Sequence, residues 1–139
     1  MTVVNKTIQL STKGKCDIIN ITSDVTNEVS SSGFSNGIVT IFVPGSTAGI
    51  TTIEYEIGLV ADVKAMWERL VPEKMEYKHD RAWGDENGYS HVRASLLGPS
   101  LTVPFTKRRM ALGTWQQIVL IDFDNRSRSR EVVLQIIGE

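Results

Sequence analysis

The run IVTIFV at positions 38–43 constrains the fold more than any other part of this sequence. A mostly apolar, β-branched run of this length is typical of a buried central strand, and Pro44 marks its end. Alternating or β-rich patterns predict further strands at residues 2–10, 16–22, 50–54, 101–105, 114–123 and 130–137. Residues 124–126 are predicted to form a hairpin connection between the last two strands.

Helices are fewer. Thr22 or Ser23 is predicted to cap a short helix that runs to about Ser31, and a second begins at Gly58 and stops at Pro72. A third helical segment, a single turn, is predicted to carry His91. The apolar face of the second helix is predicted to comprise Val60, Val63, Met66, Trp67 and Leu70. About seven strands with two or three helices, without strict β-α-β alternation, favour an α+β fold of antiparallel or mixed sheets in one domain, residues 1–139.

Composition excludes several classes of protein. A chain of 139 residues that is 41% hydrophobic and 22% charged can bury a core, and a net charge of −1 argues against a nucleic-acid partner. The N-terminal residues lack the pattern of a signal peptide, and no apolar run approaches the ~20 residues of a membrane helix. We therefore expect a cytoplasmic protein without a membrane partner. The single cysteine, Cys16, excludes an internal disulfide and is predicted to be buried and inert.

Two histidines, His79 and His91, border a segment without periodicity at residues 77–89, which is predicted to be a functional loop. This segment also contains Asp80 and Asp85, and imidazole with carboxylate forms metal sites and acid–base pairs. Solvated or structural roles are the alternative.

Glu54 ends a predicted strand, where a buried carboxylate would require a cation, a metal or hydrogen-bond donors; a side chain that faces water is the alternative.

Other polar groups could face an anion. The loop GSTAG at residues 45–49 offers backbone N–H groups with Ser46 and Thr47, although a tight bend between strands also explains it. Arg108 lies in a basic cluster, Lys107-Arg108-Arg109, which could face a phosphate or cap a turn. A further set, Arg126, Arg128 and Arg130, alternates along one face and is predicted to lie on a solvated sheet edge.

Three ordered motifs resemble the YjbQ-like family, also labelled secondary thiamine-phosphate synthase. They are GSTAGITTIE at residues 45–54, YKHD at residues 77–80 with SHVRASLLG at residues 90–98, and LGTWQ at residues 112–116. The resemblance runs nearly end to end. It implies an α+β fold, a homotrimer with a polar pocket near the subunit interface, and the joining of a pyrimidine pyrophosphate to a thiazole phosphate.

The resemblance also assigns residues. The positions that match the family motifs are Glu54, His79, Asp80, His91, Ser95, Trp115 and Gln116. Two positions depart from the family pattern: Gly45 stands where many members have histidine, and Ile53 where they have asparagine.

From the residues and the resemblance together we predict three sets of roles. Catalysis is assigned to Glu54, His79 and His91. Substrate binding is assigned to Ser46, Thr47, Ser95, Arg108, Trp115 and Gln116. A divalent metal, Mg²⁺ or Zn²⁺, is assigned to Glu54, His79, Asp80, Asp85 and His91. The alternatives are a trimeric metabolite- or metal-binding protein without turnover, and a hydrolase of a small phosphorylated compound.

Overall fold

The computed structural model describes residues 2–139, which form eight strands and four helices. The strands are β1 (Thr2–Thr12), β2 (Asp17–Asn20), β3 (Gly37–Phe42), β4 (Ala48–Ile53), β5 (Ser100–Thr106), β6 (Arg109–Met110), β7 (Gln117–Asp122) and β8 (Arg128–Gly138). The helices are α1 (Thr22–Ser31), α2 (Ile57–Leu70), α3 (Lys78–Trp83) and α4 (Gly88–Leu97).

The strands form two antiparallel sheets. The larger has the order β1-β8-β3-β5-β6, and the smaller has the order β2-β7-β4. The β-branched run at residues 38–43 lies largely in β3, the middle strand of the larger sheet, as its composition predicts. An α+β fold with antiparallel sheets is thereby confirmed.

Strand β7 separates two hydrophobic cores because its side chains alternate between its faces. Ile118 and Leu120 pack into the core between the sheets, together with Val25 and Val29 of α1. On the opposite face Val119, Ile121 and the neighbouring Phe123 pack against Trp67, Tyr89 and Ala94 from the helices. The smaller sheet is therefore a middle layer, with the larger sheet on one side and helices on the other.

Helix α2 is covered only in part. Trp67 is its one buried side chain among the described residues, and its ring meets that of Phe123 edge-on at a centroid distance of 4.9 Å. Leu70, which the periodicity assigns to the apolar face, is 61% exposed. A five-residue stripe is broader than the contact that this helix makes with the smaller sheet, so its margin faces solvent.

The predicted hairpin at residues 124–126 is wrong. Strand β7 pairs with β2 and β4, whereas β8 pairs with β1 and β3, so the intervening residues cross from one sheet to the other. Turn residues specify a change of direction and not the strand that will be the next partner.

The predicted solvated edge formed by Arg126, Arg128 and Arg130 is also wrong, because β8 lies between two strands. Only Arg126 of the three is exposed.

Two remaining features concern single elements. The segment at residues 77–89, predicted to be irregular, contains α3, whose six residues are too few to establish a periodicity. Cys16 is buried as predicted, and burial raises the pKa of its thiol to about 11.

Within residues 2–139, none of the helices is both long and apolar enough to span a bilayer.

Candidate metal centre

Helices α3 and α4 bring four of the predicted site residues together. Helix α3 ends at Gly84, whose φ of 66° lies in the left-handed region that glycine adopts without strain. The chain then returns over Asp85 and enters α4 at Asn87. This reversal places Asp85 beside His79, and it places the first turns of the two helices in contact.

The centre consists of His79, Asp80 and Asp85, whose ligand atoms all lie within 4.8 Å of one another. The Nδ1 atom of His79 is 3.5 Å from Oδ1 of Asp80 and 3.6 Å from Oδ1 of Asp85. The ring of His91 lies beside that of His79, at a centroid distance of 4.5 Å and an angle of 39°. The side chains of His79, Asp80 and Asp85 are 30%, 22% and 47% exposed, so a ligand can reach them from solvent.

These residues fit a divalent transition metal. Ligands held about 2.1 Å from a tetrahedral ion lie about 3.4 Å from one another, which is close to the two separations at His79. A donor set of one imidazole and two carboxylates suits Zn²⁺ or a similar ion, whereas Mg²⁺ prefers oxygen ligands alone. The donor chemistry therefore favours Zn²⁺ over Mg²⁺.

Both carboxylates are held by the backbone at the start of α4. Oδ1 of Asp80 accepts a hydrogen bond from the N–H of Gly88 at 2.8 Å, and Oδ1 of Asp85 accepts one from the N–H of Asn87 at 3.3 Å. The side-chain amide of Asn125 donates to the carbonyl of Asp85 at 2.7 Å. The backbone at Asp85 is thus tied to the loop that follows β7.

A buried ionic network lies beneath the centre. Asp122 and Asp124 are both 0% exposed. Asp122 accepts hydrogen bonds from Nε and Nη2 of Arg130 at 2.8 and 2.9 Å and from the hydroxyl of Thr12 at 2.6 Å. Asp124 pairs with Arg128 at 3.0 Å. Each buried carboxylate therefore has a cationic partner, as burial of a charge requires.

Thr47 and Asn87 connect this network to its surroundings. The hydroxyl of Thr47 donates to Asp124 at 2.9 Å and accepts from Arg130 at 2.6 Å, and the amide of Asn87 donates to Asp124 at 3.4 Å. Burial alone would raise the pKa of Asp124, but the hydrogen bonds from Arg128, Thr47 and Asn87 outweigh it and lower this pKa below its ordinary value.

Sequence reasoning missed this network, although a signal was present. Asp122 and Asp124 end a run that is apolar from Ile118 to Ile121, and acidic residues at such a position demand cations nearby. The alternating Arg128 and Arg130 were the matching cations.

Glu54 does not join the two histidines within one chain. It is exposed, it follows β4, and β4 ends where Ile53 pairs with Gln117. Asp124 and its partner Asn87 lie beyond the other end of β7, and the seven steps of extended chain from Gln117 to Asp124 span about 23 Å. Glu54 lines a separate surface depression with Trp115, whose side chain is 72% exposed.

The remaining predicted substrate-binding residues are dispersed. Ser46 and Arg108 are exposed, and Arg108 adopts a left-handed φ of 65° in the turn between β5 and β6. The hydroxyl of Ser95 donates to the carbonyl of His91 at 2.9 Å. The side-chain amide of Gln116 donates to Thr52 at 3.1 Å, and therefore braces the Glu54 end of the smaller sheet.

Comparison with known proteins decides the family. The family described as UPF0047 protein YjbQ-like matches residues 6–139. The chain belongs to the YjbQ-like family. This confirms the resemblance that the three motifs carry.

Two family members with similar sequences come from archaea. A UPF0047 protein of Archaeoglobus fulgidus is 38% identical over 130 residues, which cover 94% of this chain and 98% of the relative. A UPF0047 protein of Methanothermobacter thermautotrophicus is also 38% identical, over 100% of this chain and 95% of the relative.

Solved structures agree closely with the fold. A YbjQ-like protein of unknown function from Sulfolobus solfataricus P2 is 33% identical, with a TM-score of 0.94 over 99% of both chains. A hypothetical protein from Aeropyrum pernix K1 is 28% identical, with a TM-score of 0.91 over 98% of this chain and 99% of the other. The arrangement of two sheets and four helices is therefore common to this YjbQ-like protein and its structural neighbours.

Proposed function

We propose that this YjbQ-like protein is a cytoplasmic, metal-dependent enzyme that acts on a small phosphorylated compound. The observation that carries the proposal is the group formed by His79, Asp80 and Asp85, which has metal-ligand spacing, remains open to solvent and has a second imidazole, His91, beside it. Imidazole and carboxylate groups gathered in this way combine metal binding with proton transfer.

The first reaction to test is transfer of the thiamine phosphate synthase type, which the resemblance of the motifs implies. In that reaction a thiazole ring nitrogen forms a bond to the methylene carbon of the pyrimidine substrate. The bond from this carbon to the pyrophosphate oxygen breaks, and pyrophosphate leaves with the electron pair. A divalent ion supplies charge stabilisation for the leaving group.

The chain's own residues have defined parts in this proposal. His79, Asp80 and Asp85 would hold the ion, and the backbone of Gly88 and Asn87 would keep the two carboxylates oriented. His91 is not needed as a ligand and would exchange a proton with the bound compound from its position against His79.

A homotrimer forms part of the proposal, because Glu54 is remote from the histidines of its own chain. Exposed apolar side chains surround Glu54: Tyr55 at 44%, Ile57 at 91% and Trp115 at 72%. A second exposed apolar set flanks the histidines: Trp83 at 74%, Val92 at 46% and Leu96 at 62%. Contact between the first set on one copy and the second set on the next would bury both.

Such a contact joins two different surfaces, and a threefold rotation between copies would close it into a ring of three identical subunits. It would also bring Glu54 of one copy toward His79 and His91 of another. Light scattering during gel filtration tests the assembly: the native chain should have the mass of three copies. Ile57→Glu should reduce that mass, whereas Glu131→Gln, a change at an exposed position of β8, should not.

Metal binding and turnover are tested separately. Chelator-treated protein is titrated with Zn²⁺ and with Mg²⁺ by calorimetry, and is then assayed with both the pyrimidine pyrophosphate and the thiazole phosphate. We expect tighter binding of Zn²⁺, and loss of both binding and product formation in His79→Ala. Lys78→Ala is the matched control, because Lys78 is the exposed neighbour of His79 and lies outside the ligand group.

The outcomes separate the possible functions. Release of inorganic phosphate without coupling would indicate hydrolysis of a phosphorylated compound. Metal binding without any product at any enzyme concentration would indicate a binding protein and would exclude the transferase. If neither Zn²⁺ nor Mg²⁺ binds, the metal centre is disproved.

A further inference from the structure

A second polar concavity adjoins the candidate metal centre. This cleft has a volume of about 850 Å³ and lies between the chain that follows α2, the turn before β2 and the start of α4. Asp80 lines the cleft and also belongs to the metal-ligand group. A molecule bound in the cleft would therefore be placed beside the centre.

We propose that this cleft is the substrate pocket and that it takes a small zwitterion carrying both a phosphate group and an amino group. The inference rests on the proposed function of a metal-dependent enzyme for a small phosphorylated compound, and it names a substrate class other than the pyrimidine and thiazole pair for that same centre. It goes further by naming the surface that holds the substrate and the two charges which that surface recognises.

Charge balance supports a zwitterion. Three charged residues of the lining are already engaged: Arg81 and Glu76 pair with each other, and Asp80 belongs to the metal-ligand group. Lys15 and Lys74 then offer two cations on the wall of the cleft, and Glu73 and Glu86 offer two anions. Within the described residues these four side chains form no ion pair with the protein. A ligand with one anionic and one cationic group complements both pairs, whereas a simple anion or a simple amine leaves one pair unmatched.

Two of these charged residues have a strained backbone conformation. Lys15 has a φ of 53° and Glu86 has a φ of 54°, which is the left-handed region that L-residues other than asparagine and aspartate rarely adopt. Glycine would satisfy either turn without strain. Both positions line the cleft, and strained residues cluster at ligand-binding sites.

Tyr89 adds an unused hydrogen-bonding group to the wall. It lines the cleft and is 2% exposed, and its hydroxyl has no hydrogen-bond partner in the protein. Burial raises the pKa of this hydroxyl to about 12, so it is a donor at neutral pH. The hydroxyl itself is closed to solvent, so a ligand oxygen or ring nitrogen would serve as its acceptor after the Tyr89 side chain turns toward the cleft.

The test uses phosphoethanolamine, inorganic phosphate and ethanolamine as three probes in calorimetric titrations of the full chain. Phosphoethanolamine should bind at least about tenfold more tightly than either half of the molecule, because it engages both charge pairs. Equal affinity for phosphoethanolamine and inorganic phosphate, or no binding of phosphoethanolamine, would overturn the proposal.

Lys15→Gly separates binding from folding. It removes one cation and also relieves the left-handed strain, so phosphoethanolamine affinity should fall about tenfold while the melting temperature holds or rises. The matched control is Lys13→Gly, two residues earlier and outside the cleft lining, which should leave affinity unchanged. Unchanged affinity in Lys15→Gly, or an equal loss in Lys13→Gly, would contradict the assignment.

Failure of the pocket and failure of the metal centre give different results. Zn²⁺ binding to a protein that does not bind phosphoethanolamine would refute the pocket and leave the proposed function standing. Phosphoethanolamine binding that depends on Lys15 and persists in His79→Ala without Zn²⁺ would support the pocket even if the centre binds no metal.

Discussion

Two groups of acidic residues lie on either side of Asn87, and they differ in what surrounds them. Asp122 and Asp124 are sealed from solvent and receive hydrogen bonds from arginine, threonine and asparagine side chains. Asp80 and Asp85 are partly exposed, and the one imidazole within 4 Å of them belongs to His79, which is also a candidate ligand.

The comparison shows how similar residue types acquire different roles. A buried carboxylate must be paired within the protein, so its partners leave no lone pairs for a ligand. A carboxylate at the surface needs no internal partner and keeps its coordination capacity. We infer that the first group stabilises the junction of the two sheets and that the second is available for chemistry.

Among the substitutions that test this comparison, Arg130→Ala should cause the largest loss of stability. It leaves Asp122 buried without its cation, and breaking a buried pair in this way costs about 3–5 kcal/mol in the free energy of unfolding. Urea denaturation measures the loss. Arg126→Ala, an exposed arginine on the same connection, should change the stability by less than about 0.5 kcal/mol; comparable losses in both variants would contradict the buried network.

Thr47→Val should have the next largest effect. The valine keeps the shape but removes the hydroxyl that links Asp124 to Arg130, which leaves both groups short of a partner at a cost of about 1–3 kcal/mol. Ser46→Ala, at the exposed neighbouring position, serves as the control in the same denaturation experiment. Equal stability of Thr47→Val and the native chain would show that Thr47 is dispensable to the network.

Acid should weaken the buried network through protonation of Asp124. The pKa of Asp124 is lowered in the folded chain below its ordinary value of 3.8, so the unfolded chain binds the proton more readily. The resulting stabilisation is complete above about pH 3.8 and is lost as pH falls toward the folded pKa. Denaturation curves recorded from pH 5 to pH 2 should therefore be less pH-dependent in Asp124→Asn than in the native chain. An identical pH dependence in both would refute this assignment.

His79→Ala should have the smallest effect on stability. In metal-free protein this partly exposed side chain contributes little, so the free energy of unfolding should change by less than about 0.5 kcal/mol. Added Zn²⁺ should raise the melting temperature of the native chain but not that of the variant, because a ligand stabilises only the form that binds it. A rise of equal size in both would place the ion elsewhere.

Much of the fold could be predicted from local patterns, and the pairing of the elements could not. The β-branched run at residues 38–43 and the helix ending at Ser31 carry their own signals, and both were found. The connection at residues 124–126 looked like a hairpin because its residues favour a turn, but which sheet receives β8 depends on contacts across the whole chain.

Only part of the candidate site could be predicted, and the reason is similar. His79, Asp80, Asp85 and His91 are near one another in sequence, so a short helical reversal is enough to assemble them. Glu54 reaches the histidines only if a second copy supplies it, and no pattern within one chain carries that information. Arg128 and Arg130 were correctly assigned to one face, but the choice of the inward face depends on Asp122 and Asp124 of another sheet.

The position of β8 has a consequence for how the chain reaches its native state. This strand separates β1 from β3, so the larger sheet cannot close until residues 128–138 are inserted between strands made from residues 2–12 and 37–42. Pairing across so long a stretch of sequence is slow to nucleate. A ribosome would therefore carry most of this protein with two unpaired strand edges before its last strand emerges, and β8 would act as the final closing step of folding.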